Sequence, residues 1–230
     1  MWDPVNWRQW RVVIKLDPHK ALTPDSLSAV LDCSPEAIMV GGTQGVTREN
    51  TRRLVDNVRR FGYSGVVVQE ISDPGVVVNE VDAHFIPLVL NSVDYKWITG
   101  LHHQAVMKYR EIINWNNVVT EGYVICNPYS AAGMVTGAAP VNAESASAYA
   151  VLAEQLLGIP VLYIEYSGVF GDPYLVEAAA RESKNLHVVY GGGIKQADQA
   201  KRMLDLVDTI VIGNVVYDNP KCLADIFKHI

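Results

Sequence analysis

Several short stretches of the chain carry residue types that could do chemistry together. Lys15 and Asp17 stand two apart in "VVIKLDP". Alternate residues of a strand share a face, so this ammonium and this carboxylate would look the same way. Two readings stay open for them. They are part of a buried ion pair, with each other or with neighbours, or the lysine meets a phosphate and the carboxylate holds Mg²⁺. That ion favours one or two carboxylates together with substrate phosphate oxygens. "AIMVGGT" runs out into Gly41, Gly42 and Thr43. "VLYIEYSG" places Glu165 inside an apolar run, with Tyr166, Ser167 and Gly168 after it. A bare buried carboxylate is costly, so Glu165 has either a structural partner or a substrate hydroxyl. "VVYGGG" ends in Gly191, Gly192 and Gly193, "DTIVIGN" in Gly213 and Asn214, and "GYVICN" in Asn127. Glycines let main-chain N–H groups approach phosphate oxygens, and a following helix adds its dipole. A tight turn would also account for the three glycines alone. Two glycine-ended runs in succession, with a Ser-Gly before them, favour a phosphate site.

These residues need elements that bring them to one place. Apolar runs of strand length alternate with helical patterns along the whole chain: "VVIKLD", "AIMVGG", "GVVVQEI", "HFIPLVL", "GYVICN", "VLYIEYS", "LHVVYGGG" and "DTIVIGN". Continuous rather than alternating apolar character means burial on both faces, as in a parallel sheet. Helix signals separate them. Thr23 and Pro24 suit an N-cap and first position. Thr47 with Glu49 and Asn50 opens a second helix that Gly62 closes. "WITGLHHQAVMKYREII" and "AESASAYAVLAEQLLG" read as later helices. Repeated βα units of this number, in one domain spanning residues 1–230, predict a (β/α)₈ barrel; an open doubly wound sheet is the alternative. One unit is irregular. "SDPGVVVNEVDA", between the third and fourth strands, has no helical face and predicts a short or absent third helix. "PYSAAGMVTGAAPVN" reads as a mobile, small-residue loop. In such barrels the active site lies at the C-terminal strand ends, with phosphate on the loops after strands seven and eight. That is where the glycines fall.

Composition narrows the classes. The chain has 230 residues, 49% hydrophobic and 19% charged, with a formal net charge of −6. This excludes a basic nucleic-acid footprint. Arg52, Arg53, Arg59 and Arg60 fall at helical spacing and read as a solvated helix face. The three cysteines, Cys33, Cys126 and Cys222, are far apart and suit free thiols in a reducing compartment. The first residues lack the apolar core of a signal peptide, and no apolar run nears the ~20 residues of a membrane span. A cytoplasmic protein is expected, with any membrane contact made from the surface. The histidines form no cluster of metal-ligand spacing, and "GGTQG" lacks the Lys-Ser/Thr of a P-loop.

"KLDP" at 15–18, "GGTQGVT" at 41–47, "VLNS" at 89–92, "EGY" and "NP" at 121–128, "YIEYSG" at 163–168, "YGGGI" at 190–194 and "GN" at 213–214 occur in this order. Together they resemble the geranylgeranylglyceryl/heptaprenylglyceryl phosphate synthases, over essentially the whole chain. The resemblance implies a modified TIM barrel lacking its third helix. It implies a prenyltransferase that joins sn-glycerol 1-phosphate to a polyprenyl diphosphate with Mg²⁺, forming an ether bond, and a homodimer. It further implies that Lys15 contacts glycerol phosphate. Asp17 and Thr43 would bind Mg²⁺ with the diphosphate. Tyr163, Ile164, Glu165, Tyr166, Ser167 and Gly168 would line the glycerol phosphate, and Gly193, Gly213 and Asn214 would hold its phosphate. Glu165 is the candidate to orient or accept the proton of the attacking hydroxyl. The position of Ala105 would set chain length: a large aromatic there limits relatives to the C20 chain, and a small residue admits heptaprenyl. Ala105 therefore predicts a heptaprenyl preference, although "EISDPGVVVNEVDAHF" looks closer to the C20 members; on the residues alone, Ala105 is also a good helix former on a packed face. A sugar-phosphate isomerase or epimerase would share the glycines but need no prenyl groove, and a non-catalytic phosphate sensor would need neither Mg²⁺ nor Glu165.

Overall fold

The computed structural model describes residues 5–230. Eight parallel strands close into one barrel in sequence order: β1 (Val12–Leu16), β2 (Ala37–Val40), β3 (Val66–Glu70), β4 (Ala83–Val89), β5 (Val118–Ile125), β6 (Val161–Glu165), β7 (His187–Gly191) and β8 (Thr209–Ile212), with β8 pairing back onto β1. The continuous apolar character of the strands has its cause in two separate cores. Val12, Ile14 and Leu16 of β1 face the surrounding helices, while Val13 joins Met39, Val68, Phe85, Val161, Val189 and Val211 inside the barrel. Successive residues bury opposite faces, so no polar alternation survives. Each fully buried aliphatic side chain contributes roughly 1.5–3 kcal/mol.

The helices form where their end signals stand. α1 (Pro24–Asp32) is capped by Thr23, whose side chain accepts the Ser26 N–H. α2 (Arg48–Arg60) opens on a capping box: Thr47 accepts from Asn50 N–H while the Asn50 side chain accepts from Thr47 N–H. Gly62, at φ +99°, follows α2. The third unit has a single 3₁₀ turn, Pro74–Val76, in place of a helix. Gln69 explains how the barrel tolerates this. Its buried side chain donates to Val76 O at 2.9 Å and accepts Val78 N–H at 3.0 Å, strapping the excursion to β3. The arginine face of α2 is less free than its spacing suggested: Arg52 pairs with Glu80 and Arg59 with Asp82, both on that excursion.

After β4 come a 3₁₀ turn (Tyr95–Trp97) and α3 (Gly100–Tyr109), shorter at both ends than the expected helix. The segment expected to be a mobile loop after β5 instead contains α4 (Ala131–Thr136), capped by Ser130 and closed by Gly137 at φ +61°. It is tied to the end of β4, since Asn91 donates to Ile125 O and Ala139 O, and Ser92 to Thr136 O. Then follow α5 (Ala143–Val151) with a π turn (Leu152–Leu156), α6 (Pro173–Glu182), α7 (Ala197–Leu204), the short α8 (Val215–Asp218) and α9 (Cys222–Lys228). Cys33, Cys126 and Cys222 are free thiols. Among the described residues no helix is long and apolar enough to cross a membrane.

Candidate active site

Strand alternation and barrel closure bring Lys15, Glu70, Tyr123, Tyr163 and Glu165 together at the mouth end of the barrel interior. Lys15 Nζ donates to Glu70 Oε2 at 2.6 Å and lies 3.5 Å from Tyr123 Oη. Tyr123 donates to Glu165 Oε2 at 2.7 Å, with Glu70 Oε1 at 3.4 Å. Ser167 Oγ donates to the other oxygen of Glu165 at 2.8 Å, and Asn127 holds Ser167 by donating to its carbonyl at 2.7 Å. The Tyr123 and Tyr163 rings stack at 4.5 Å, and Lys15 Nζ lies 5.6 Å from the Tyr163 ring centre. Glu165 thus has both oxygens oriented by hydroxyl donors.

The electrostatics follow from burial and proximity. Burial raises the Glu165 pKa, against the pull of Lys15 and of the Tyr123 and Ser167 hydrogen bonds. Burial works against the Lys15 ammonium, but Glu70, Glu165 and Glu121 more than offset it, so its pKa sits above the usual lysine value. Burial keeps Tyr123 and Tyr163 neutral by pushing both hydroxyls well up. Glu121 lies one layer below, next to the apolar interior. Burial first, then Glu70, push its carboxyl well above the usual range, against the pull of Lys15. A carboxyl whose pKa is raised and whose orientation is fixed, as at Glu165, suits general-base work.

Glu70 and Tyr123 are the functional candidates that sequence reasoning missed. Glu70 ends "VVVQE" as Asp17 follows "VIKL", a polar residue closing an apolar strand. Tyr123 lies within the "EGY" match but had no role there. The lysine's ion pair is therefore with Glu70, and Asp17 is left free for other work.

Asp17 turns toward β2. Its Oδ1 accepts the His19 N–H at 2.9 Å, and no other hydrogen bond reaches the carboxylate among the described residues. A β-carbon at Gly42 would stand 2.5 Å from Oδ1, so only glycine lets the β2 end come this close. Thr43, the next residue, is exposed. Among the described residues no group of three or more His, Cys, Asp or Glu could hold a metal by itself. One carboxylate and one hydroxyl nevertheless fit a hard cation that takes its remaining oxygens from substrate phosphates and water.

The glycines divide into two kinds. Gly192 (φ +151°) and Gly193 (φ +57°) hold backbone that side chains rarely adopt, and β-carbons there would collide with Tyr166 and with the main chain of Val169 and Phe170. These glycines let the β7 loop pack onto the β6 loop. Tyr190 completes the junction, its hydroxyl donating to Gly192 O and accepting Gly171 N–H. Gly213 differs: a β-carbon would meet nothing nearer than Lys15 O at 3.7 Å. That is an ordinary contact distance, so chain packing does not demand glycine here. Asn214 follows it and accepts from Lys20 Nζ at 2.8 Å.

Two side chains in the expected substrate-lining run point elsewhere. Ile164 and Tyr166 belong to the outer core with the helices, because they alternate with Tyr163 and Glu165 on β6. Only their main chain is available at the mouth. Tyr163 is fully buried, and its hydroxyl lies beneath Gly191. Gly168, at φ +89°, has open space where a β-carbon would stand. Ala105 is half-buried on α3, one turn beyond His102, whose Nε2 lies 3.1 Å from Pro87 O of β4. The shared helix face turns Ala105 toward that strand end.

The fold and sequence have known counterparts. The structure superposes on (S)-3-O-geranylgeranylglyceryl phosphate synthase from Thermoplasma acidophilum, solved in complex with sn-glycerol-1-phosphate, with a TM-score of 0.84 at 20% identity, covering 96% of this chain and 93% of that one. In sequence the chain is 41% identical over 216 residues to heptaprenylglyceryl phosphate synthase of Brevibacillus brevis, covering 94% of this chain and 93% of the relative. It is 38% identical over 220 residues to the enzyme of that name from Bacillus cereus, covering 95% of each. The PcrB family model matches residues 5–230, and the chain belongs to the PcrB family.

Proposed function

We propose that the protein is a heptaprenylglyceryl phosphate synthase, joining sn-glycerol 1-phosphate to heptaprenyl diphosphate through an ether bond. The observation that carries the reading is Glu165, a buried carboxylate at a strand end with both oxygens oriented by hydroxyl donors. Glu165 takes the proton of the glycerol 3-hydroxyl as that oxygen bonds to C1 of the prenyl chain. The C1–O bond to diphosphate breaks, and the leaving group keeps the electron pair. Tyr123 and Ser167 hold the base in place. Lys15 and the main chain around Gly193, Gly213 and Asn214 receive the glycerol phosphate. Asp17 and Thr43 would hold Mg²⁺, which when bound neutralises charge developing on the diphosphate. Much of the rate comes from fixing both substrates in line.

Ala105 leaves room at the strand-four end for a long chain, and Ile164 and Tyr166 act through their main chain only. The exposed apolar side chains of Tyr95, Met107, Ile112 and Trp115 around α3 support contact with a membrane surface, where a cytoplasmic enzyme would meet its prenyl substrate. A homodimer completes the reading, and sedimentation at micromolar concentration checks it, a monomer counting against it. The decisive experiment incubates the protein with labelled sn-glycerol 1-phosphate, Mg²⁺ and a ladder of prenyl diphosphates. Label passing into the lipid phase, with the optimum at the heptaprenyl chain, is expected; no transfer with any chain would overturn the proposal.

A further inference from the structure

The loop after β1 carries two charges that point in opposite directions. β1 lies between β8 and β2 in the barrel. Asp17 leans to the β2 side, packed on Gly42. Lys20 leans to the β8 side: its Nζ donates to Asn214 Oδ1 at 2.8 Å and lies 5.1 Å from the centre of the Tyr217 ring. Tyr217 fixes the base of the same loop, its hydroxyl accepting the Asp17 N–H at 2.8 Å. The turn is closed by Lys20 N–H on Asp17 O at 3.1 Å. The lysine head is therefore aimed by the fold.

Its partner is informative. Among the described residues, no carboxylate lies within ion-pair distance of Lys20. The ammonium rests on a neutral carboxamide beside Gly213, where even a β-carbon would meet no closer atom than Lys15 O at 3.7 Å. The rest of the mouth is poor in spare positive charge. Lys15 shares its charge with Glu70, and Asp17, Glu70 and Glu165 bring three carboxylates, so that ammonium is already outweighed. Main-chain N–H groups can orient a phosphate dianion there but cannot neutralise it. A cation on the rim can, by exchanging its hydrogen bond to a neutral carboxamide for an ion pair with the phosphate.

We propose that Lys20 is a phosphate-binding residue of the β8-side subsite, moving from Asn214 Oδ1 onto the phosphate of sn-glycerol 1-phosphate and, with Asp17 on the β2 side, sorting the two anionic substrates. The identity of that ligand rests on the synthase reading above. The β1 loop then acts as a divider. On one flank a carboxylate repels a bare phosphate and admits it only with a divalent cation. On the other flank an ammonium takes a phosphate directly. Release of Asn214 frees its carboxamide to turn an N–H toward the same ligand. Because the head is solvent-exposed, binding through it weakens with ionic strength.

The test is calorimetric titration of sn-glycerol 1-phosphate, and separately of inorganic phosphate, into the full chain without Mg²⁺ or prenyl diphosphate. Lys20→Gln is expected to weaken binding of both about three- to tenfold, the effect of a charge-assisted hydrogen bond discounted for solvent exposure. Lys20→Arg, which keeps the charge, should recover most of it. In steady-state assays the KM for sn-glycerol 1-phosphate should rise while the KM for the prenyl diphosphate stays within about twofold. A Lys20→Gln dissociation constant within twofold of the parent would overturn the proposal, as would a loss that falls on the prenyl diphosphate. Lys20-dependent phosphate binding by a protein that transfers no prenyl group would sustain this assignment while sinking the synthase reading.

Discussion

Replacing Tyr123 by Phe removes one oxygen and little else, because the ring still stacks on Tyr163 at 4.5 Å and stays buried. What disappears is the 2.7 Å hydrogen bond to Glu165 Oε2. A hydrogen bond to a charged group is worth about 1.5–3 kcal/mol. Ser167 still serves Oε1, so the carboxylate keeps one of two oriented oxygens. The Tyr123 bond favours the ionised form, so its loss raises the Glu165 pKa further in the direction that burial already drives it. The consequence for a general base is directional. The acid limb of kcat/KM against pH should move to higher pH, and on that limb the rate should fall about ten- to a hundredfold, since each 1.4 kcal/mol is a factor of ten. At high pH, where Glu165 is ionised in both proteins, the rates should converge to within a few-fold. Stability changes with the same sign. A carboxyl with a raised folded pKa keeps its proton where the unfolded chain has lost it, so its contribution falls as pH rises through that window. Tyr123→Phe should steepen this decline, measured as Tm against pH. The assay is initial-rate prenyl transfer across pH with saturating prenyl diphosphate. An acid limb that stays in place, with a uniform loss at every pH, would show that Glu165 is not the titrating base.

The remaining expectations are briefer. Gly213→Ala should fold with an unchanged Tm and raise the KM for glycerol phosphate at least tenfold, because its methyl group clashes with no protein atom but hinders the approach of phosphate to the main chain; Gly193→Val should lower stability by about 1–3 kcal/mol, since it forces a side chain into left-handed backbone. An unaffected KM in folded Gly213→Ala removes that glycine from the site, and a parent-like Tm for Gly193→Val removes the packing argument. Asp17→Asn should abolish Mg²⁺-dependent turnover and leave the melting curve in place, and near-parental activity would make Asp17 structural. Ala105→Trp should shift preference from heptaprenyl to geranylgeranyl diphosphate on the prenyl ladder, and a mutant still favouring the longer chain would show that this position does not measure length.

Much of the fold was legible because its signals are local. Thr23 with Pro24, and Thr47 with Asn50, mark helix starts through hydrogen bonds that span three residues. The missing third helix was visible as the lack of an apolar face between residues 72 and 83, but its substitute, Gln69, was not: a glutamine in an apolar strand carries no sign of which main chain it will strap. The helix α4 was misread as a loop, although Ser130 and Gly137 flank it as a cap pair; its small residues hid the signal, and its anchoring by Asn91 and Ser92 spans more than forty residues. Within the site, Lys15, Asp17, Glu165 and Gly213 stood out as polar or bare positions closing apolar runs. Glu70 closes its strand in the same way, but nothing local ties it to Lys15, 55 residues away in the chain.

The sequence by itself determined the period-two burial of each strand, the helix ends and the set of residues at the strand ends. These depend on steric rules and hydrogen bonds between near neighbours. Only the tertiary structure decided which of those residues meet. Closure of β1 through β8 sets strand register, and register decided that Lys15 pairs with Glu70 rather than Asp17 and that Tyr123 bridges Glu70 and Glu165. It also separated glycines that look alike in the chain: Gly192 and Gly193 pack so tightly against the neighbouring loop that a β-carbon would collide, whereas one at Gly213 would make only ordinary contact with Lys15. The physical reason is that partners across a barrel are chosen by the packing of every strand at once, and no local window of the chain contains that information.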